Sequence, residues 1–157
     1  MLKGKKIKLR TLFPTDLEFL QKIENDKNLW EYGSDRKKFT KEELTNYIKN
    51  SSEKIQKAKQ FRFVVDYNKT PVGFVDLFEY KNSSAGVGII IDKVYQRRGF
   101  ASESLKLLID YSFEELNLKK IHCKISKYNL RSIQLFTSSG FTFTKEKDNL
   151  YFYTFTL

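Results

Sequence analysis

Val87-Gly88-Ile89-Ile90-Ile91 is an apolar, β-branched run, and it leads through Asp92-Lys93-Val94-Tyr95 into Gln96-Arg97-Arg98-Gly99-Phe100-Ala101-Ser102. A run of this kind is what a central strand presents when both of its faces are covered. From Ser102 to Leu116, Leu105, Leu108, Ile109 and Phe113 recur at helical spacing. A buried strand joined to an amphipathic helix by a short glycine-containing loop predicts an α/β chain. The loop has a chemical consequence as well. A helix N-terminus leaves backbone N–H groups unpaired at the positive end of the macrodipole, and phosphate binds such places. Gly99 permits backbone conformations and close approaches barred to other residues. Ala101 suits a crowded first turn, and Arg97 and Arg98 supply charge that can pair with phosphate oxygens. Taken alone, these residues are equally an ordinary basic loop with a glycine turn, so the surrounding pattern has to decide.

Ile7, Leu9 and Thr11 alternate with Lys8 and Arg10, which predicts an opening strand over about residues 5–12. Pro14-Thr15-Asp16 starts a helix with Leu17, Leu20 and Ile23 as its apolar stripe, capped by Thr15 or Asp16. Thr40 with Glu43 forms a capping box for a second helix carrying Leu44, Tyr47 and Ile48, extending with a break near Ser51-Ser52 to Lys59. Phe61–Val65, Val72–Tyr80 and Ala85–Ile91 then read as an antiparallel meander. Lys120–Ser126 is a strand, Leu130–Ser139 a helix closed by Gly140, and Phe141–Lys145 with Leu150–Leu157 a terminal hairpin. The expected order is β α α β β β α β α β β, with a parallel pairing across the central strand–helix–strand crossover.

Residues 1–157 are expected to form one domain, since the chain is long enough for one substantial core and shows no linker or repeat. No run approaches the length of an uncharged membrane span. A single cysteine, Cys123, excludes an internal disulfide, and a single histidine, His122, leaves no cluster for a zinc site, so no metal is expected. A cytoplasmic setting is the consistent expectation. The formal charge of +10 favours anionic partners such as phosphorylated cofactors, RNA or ribosomes. The lysines are spread along the chain, however, and solvated faces account for them equally well.

Asn129-Leu130-Arg131-Ser132 opens the helix that ends in Phe136-Thr137-Ser138-Ser139-Gly140-Phe141. With these residues the chain resembles the Gcn5-related N-acetyltransferases (GNAT), and within them the branch containing ribosomal-protein-alanine and spermidine acetyltransferases. The acetyl-CoA motif of that family, Gln/Arg-x-x-Gly-x-Gly/Ala, is matched by Gln96, Gly99 and Ala101. Its later elements are matched by Asn129, Ser132, Gly140 and Phe141, and the order of elements agrees from Ile7 to Leu157. The resemblance implies a mixed, mostly antiparallel sheet of about seven strands flanked by about four helices, with a splayed strand pair holding acetyl-CoA. It implies that the backbone of Ile89, Ile90 and Ile91 pairs with the pantetheine arm. The amides of Arg97, Arg98, Gly99, Phe100, Ala101 and Ser102 would hold the pyrophosphate, Asn129 and Ser132 would touch pantetheine or nucleotide, and Phe136 would lie near the thioester.

Direct acetyl transfer needs a neutral amine, and an alkylammonium has a reference pKa of about 10.4, so its proton must be removed. Many relatives place a tyrosine acid where this chain has Phe136, which cannot donate a proton. Glu79 and Asp76, on the strand beside the cofactor strand, are candidate bases or amine-binding groups, and Tyr128 is a candidate substitute acid; a surface or capping role is the competing reading of each. Trp30 and Glu31 fall where such enzymes gather acceptor contacts. His122 reads as a polar strand-face residue and Cys123 as core. The expected acceptor is a primary amine: a protein N-terminus, a polyamine or an amino sugar. A homodimer is left open, and nucleic acid is expected only through a ribosome-associated substrate. The competing function, motivated by Phe136, is an acetyl-CoA-binding sensor or pseudoenzyme without transfer activity.

Overall fold

The β-branched and aromatic runs form one mixed eight-stranded sheet in the computed structural model, which describes residues 1–26 and 38–157. The strands are β1 (Leu2–Lys3), β2 (Lys8–Arg10), β3 (Phe61–Tyr67), β4 (Thr70–Lys81), β5 (Ser84–Ile91), β6 (Lys120–Ser126), β7 (Thr142–Lys147) and β8 (Leu150–Thr156). Their order across the sheet is β1-β2-β3-β4-β5-β6-β8-β7. Every neighbouring pair is antiparallel except β5–β6, which is parallel, as the crossover between them requires. The described helices are α1 (Leu17–Glu24), α2 (Lys41–Asn50), α3 (Ile55–Ala58), α4 (Phe100–Glu114) and α5 (Leu130–Ser138).

Two apolar clusters hold these layers together. On one face, Leu105, Leu108, Ile109 and Phe113 of α4 and Phe136 of α5 pack with Val75, Leu77, Val87 and Ile121 of the sheet. On the other, Leu20 and Ile23 of α1 and Leu44 and Ile48 of α2 pack with Val64 and Phe74. Thr40 caps α2 through the predicted box: its hydroxyl accepts from the Glu43 N–H, and the Glu43 carboxylate accepts from the Thr40 N–H.

The break expected near Ser51-Ser52 is present: Asn50 ends α2, and a separate turn, α3, closes at Lys59 in the left-handed region. Two features differ from the sequence expectation. The opening strand is a short hairpin, β1–β2, and β1 has only two residues, too few to show a period. A bulge interrupts β4–β5 between Phe78 and Lys81, with Glu79 at φ +49°. The bulge breaks the two-residue alternation of side-chain faces at Glu79.

β5 and β6 pair only through Ser84–Lys120, Ala85–Ile121 and Gly86–His122. Beyond that rung β6 stays with β8, out to Ser126–Leu150, and β5 stays with β4, out to Gly73–Ile91. The two central strands therefore part into a wedge whose apex lies at Gly86 and His122.

Candidate active site

The wedge opens into a cleft of about 630 Å³. Ile89, Ile90 and Ile91 of β5 line one side, and Gln96, Arg97 and Gly99 of the following loop line its end. Phe100, Ala101 and Ser102 of the first turn of α4 border it, as do Asn129 and Ser132 at the start of α5. Residues of β5, the loop, α4 and α5 thus meet at one cleft, because α4 starts beyond the end of β5 and α5 beyond the end of β6, where the two strands have parted.

Local geometry explains each position. Gly99 caps α4 in the left-handed region, at φ +82°. A Cβ there would find Lys6 Nζ at 3.6 Å, so the glycine is needed for its conformation rather than for space. Arg97 also lies at positive φ, +65°, which gives the loop two left-handed residues before the helix N-terminus. Gln96 spans the cleft mouth: its Nε2 donates to Ile91 O at 2.9 Å and its Oε1 accepts from Arg131. The Asn129 side-chain oxygen caps α5 by accepting from the Ser132 N–H at 3.2 Å, which leaves its NH2 group for a ligand. Glu103, one turn into α4, accepts from the Lys6 and Ile7 N–H groups at 3.0 and 2.8 Å and ties the β1–β2 hairpin to the loop.

Several predicted residues lie elsewhere. The Arg98 guanidinium does not enter the cleft. It stacks over Tyr67 at 5.0 Å and Phe100 at 5.1 Å, and donates to the Tyr67 hydroxyl at 3.3 Å, because aromatic faces attract a cation. Phe136 is buried edge-on against Phe141, with ring centroids 5.0 Å apart, and does not line the cleft. Lacking a hydroxyl, its ring is driven into the core. Asp76 receives a two-pronged contact from Arg62, at 2.5 and 3.0 Å, and Arg62 also pairs with Glu24. Burial opposes the Arg62 cation, but Asp76 and Glu24 outweigh it and hold its pKa well above the usual value. A carboxylate engaged in this way is a poor base. Tyr128 is 72% exposed, beside Lys127 rather than in the cleft, and Glu79 is exposed on its bulge. Trp30 and Glu31 lie outside the described residues.

Arg131, Gln134 and Leu135 of α5 and Tyr95 before the loop also line the cleft and were missed. Arg131 stands between the two matched motif positions Asn129 and Ser132, and helical spacing from it reaches Gln134 and Leu135, so the signal was present. Among the described residues, no group of three or more His, Cys, Asp or Glu is placed to hold a metal ion, and no helix is long and apolar enough to cross a membrane.

Residues 6–142 match the family model described as the acetyltransferase (GNAT) domain. The chain belongs to that family. It is 34% identical over 137 residues to the spermidine N(1)-acetyltransferase of Vibrio cholerae, covering 85% of this chain and 77% of that protein. It is 31% identical over 139 residues to the spermidine N(1)-acetyltransferase of Escherichia coli, covering 87% and 73%. The crystal structure of the Vibrio cholerae spermidine N-acetyltransferase in complex with CoA and spermine superposes with a TM-score of 0.86 at 28% identity, covering 98% of this chain and 96% of that one. The chain is an N-acetyltransferase with acetyl-CoA as its co-substrate and an amine as its acceptor.

Proposed function

We propose that this enzyme acetylates polyamines of the spermidine and spermine class. The observation that carries the reading is the likeness, over 98% of the chain, to an enzyme whose structure is described in complex with CoA and spermine.

In this reading the N–H groups from Arg97 to Ser102 hold the pyrophosphate at the start of α4, with the Arg97 side chain adding charge. The unpaired edge of β5 at Ile89, Ile90 and Ile91 receives the amide-bearing arm, and Asn129 and Ser132 border it from α5. The Arg98 side chain supports the loop from beneath, and Phe136 supports α5 from the core. A backbone N–H of β5 near the apex is positioned to stabilise charge developing on the carbonyl oxygen. The departing thiol has an ordinary pKa of about 8.5 and needs no dedicated acid, so Phe136 does not prevent transfer. The proposed setting is the cytoplasm, with residues 1–157 acting as one domain.

Release of CoA, followed with a free-thiol reagent over a panel of spermidine, spermine, peptides with free N-termini and amino-sugar nucleotides, tests the acceptor. Spermidine and spermine should give the highest kcat/KM. Preference for a peptide N-terminus or an amino sugar, with polyamines inert, would overturn the polyamine reading.

A further inference from the structure

The rung Gly86–His122 is the last that joins β5 to β6 before they part. Residues paired across a rung stand on the same face of a sheet, so the His122 imidazole stands beside a residue with no side chain. In the next ladder Gly86 pairs with Phe78 and Gly88 with Asp76. These residues share the face opposite α4, because the alternate β6 positions, Ile121 and Cys123, are the ones buried in the core with α4. A Cβ on Gly86 would lie 2.4 Å from the Phe78 ring, which therefore lies across that glycine. A Cβ on Gly88 would have Asp76 Oδ2 and Phe78 at 3.7 Å, an ordinary contact distance. The floor beside His122 is thus open at Gly88 and bounded by Phe78 and Asp76.

A linear molecule anchored by phosphate at the Gly99 loop and laid along Ile91, Ile90 and Ile89 is directed toward the wedge apex. On that path its reactive end points toward the rung that carries His122, just beyond the residues lining the cleft. We infer that His122 is the catalytic base, taking the proton of the incoming alkylammonium at the apex of the splayed strands. This rests on the acetyl-transfer reading but not on which amine is the acceptor. In the step, the ammonium gives one proton to the imidazole, and the freed lone pair forms the C–N bond as the thioester C–S bond breaks. The thiolate leaves with the bonding pair. The second nitrogen proton and the one on the imidazole go to the thiolate and to water, so that an ammonium and a thioester become an amide, a thiol and one released proton.

The surroundings suit that role. His122 is half-buried, and burial lowers its pKa below the ordinary 6.5; Glu79 raises it, and Lys120 and Lys124 lower it. The imidazole is therefore neutral at physiological pH, with the Glu79 carboxylate near enough to steady it once protonated. Among the described residues on this face, Asp76 and Glu24 are bound to Arg62, and Arg10 is bound to Asp16 and Asp66. Tyr128 is in solvent and Phe136 carries no proton.

His122 is the single histidine of the sequence, so one NMR signal from a histidine-labelled full chain reports it alone. That signal should titrate below pH 6.5 and shift when CoA is added. In parallel, kcat/KM for spermine is measured against pH for the wild type and His122→Gln, with acetyl-CoA affinity as the control for folding. The variant should lose about 10²-fold and also lose the acidic limb that coincides with the imidazole titration, at unchanged acetyl-CoA affinity. An imidazole signal indifferent to CoA, or a variant with wild-type kcat/KM and the same acidic limb, would overturn the assignment. If the wild type binds acetyl-CoA but does not acetylate spermine, the polyamine reading fails, and the response of the imidazole to CoA still decides where His122 stands.

Discussion

Cys123 is 3% exposed on β6, and burial pushes its thiol up to about 12. A free-thiol reagent at pH 8 should therefore find no reactive group in the native protein and one after denaturation; rapid native reaction would contradict the burial. His122, its neighbour, has the opposite kind of shift. Its native pKa is below the unfolded value of 6.5, so the unfolded chain binds the proton more readily. Its contribution to stability is complete above pH 6.5 and lost as the pH falls toward the native pKa. His122→Gln should flatten the fall in urea midpoint over that window, and an unchanged slope would argue against it. Arg97 and Arg98 are adjacent in sequence but do different work. Arg97→Ala should weaken acetyl-CoA binding, measured by calorimetry, with little change in melting temperature. Arg98→Ala should lower the melting temperature, because it strips the cation from the Tyr67 and Phe100 rings. Equal losses of affinity in the two variants would put both guanidinium groups in the cleft.

At the scale of elements, the start of α1 is held by a buried ionic cluster rather than by a simple cap. Asp16 accepts from Arg10 at 2.8 and 2.9 Å and from the Phe13 N–H at 2.7 Å, while Arg10 Nε donates to Asp66 of β3 at 2.7 Å. All three charged residues are buried. Arg10→Met leaves two buried carboxylates without their cation and should cost about 3–5 kcal/mol in denaturant unfolding; a loss below about 1 kcal/mol, as for a surface pair, would mean that water reaches the cluster. The start of α1 was legible from Pro14-Thr15-Asp16, and the Thr40 box of α2 was legible too, because caps are made by residues a few positions apart. The role of Asp16 as an anchor for Arg10 was not legible, because its other partner, Asp66, is 56 residues from Arg10.

The whole molecule carries a net charge of +10, while acetyl-CoA is a polyanion and the proposed acceptor a polycation. Long-range steering by net charge is screened once the Debye length shrinks to about 8 Å at physiological ionic strength. Raising the KCl concentration should therefore lower kcat/KM for acetyl-CoA more than kcat/KM for spermine, measured from initial rates. An equal fall for both would show that the distributed lysines exert no net field at the cleft.

The sequence by itself determined the order of the elements, the single parallel crossover, and the loop from Gln96 to Ala101 with its family. Each of these is written in local periodicity or in residues a few positions apart. Tertiary structure alone decided which charged groups are free to act. Arg98 turns to Tyr67 and Asp76 to Arg62, while Arg131 reaches Gln96 across the cleft. It also set the bulge that displaces Glu79 and the strand parting that leaves His122 at the apex. A charged side chain settles with the partner that best offsets its desolvation, and most of those partners are brought together only when the sheet forms.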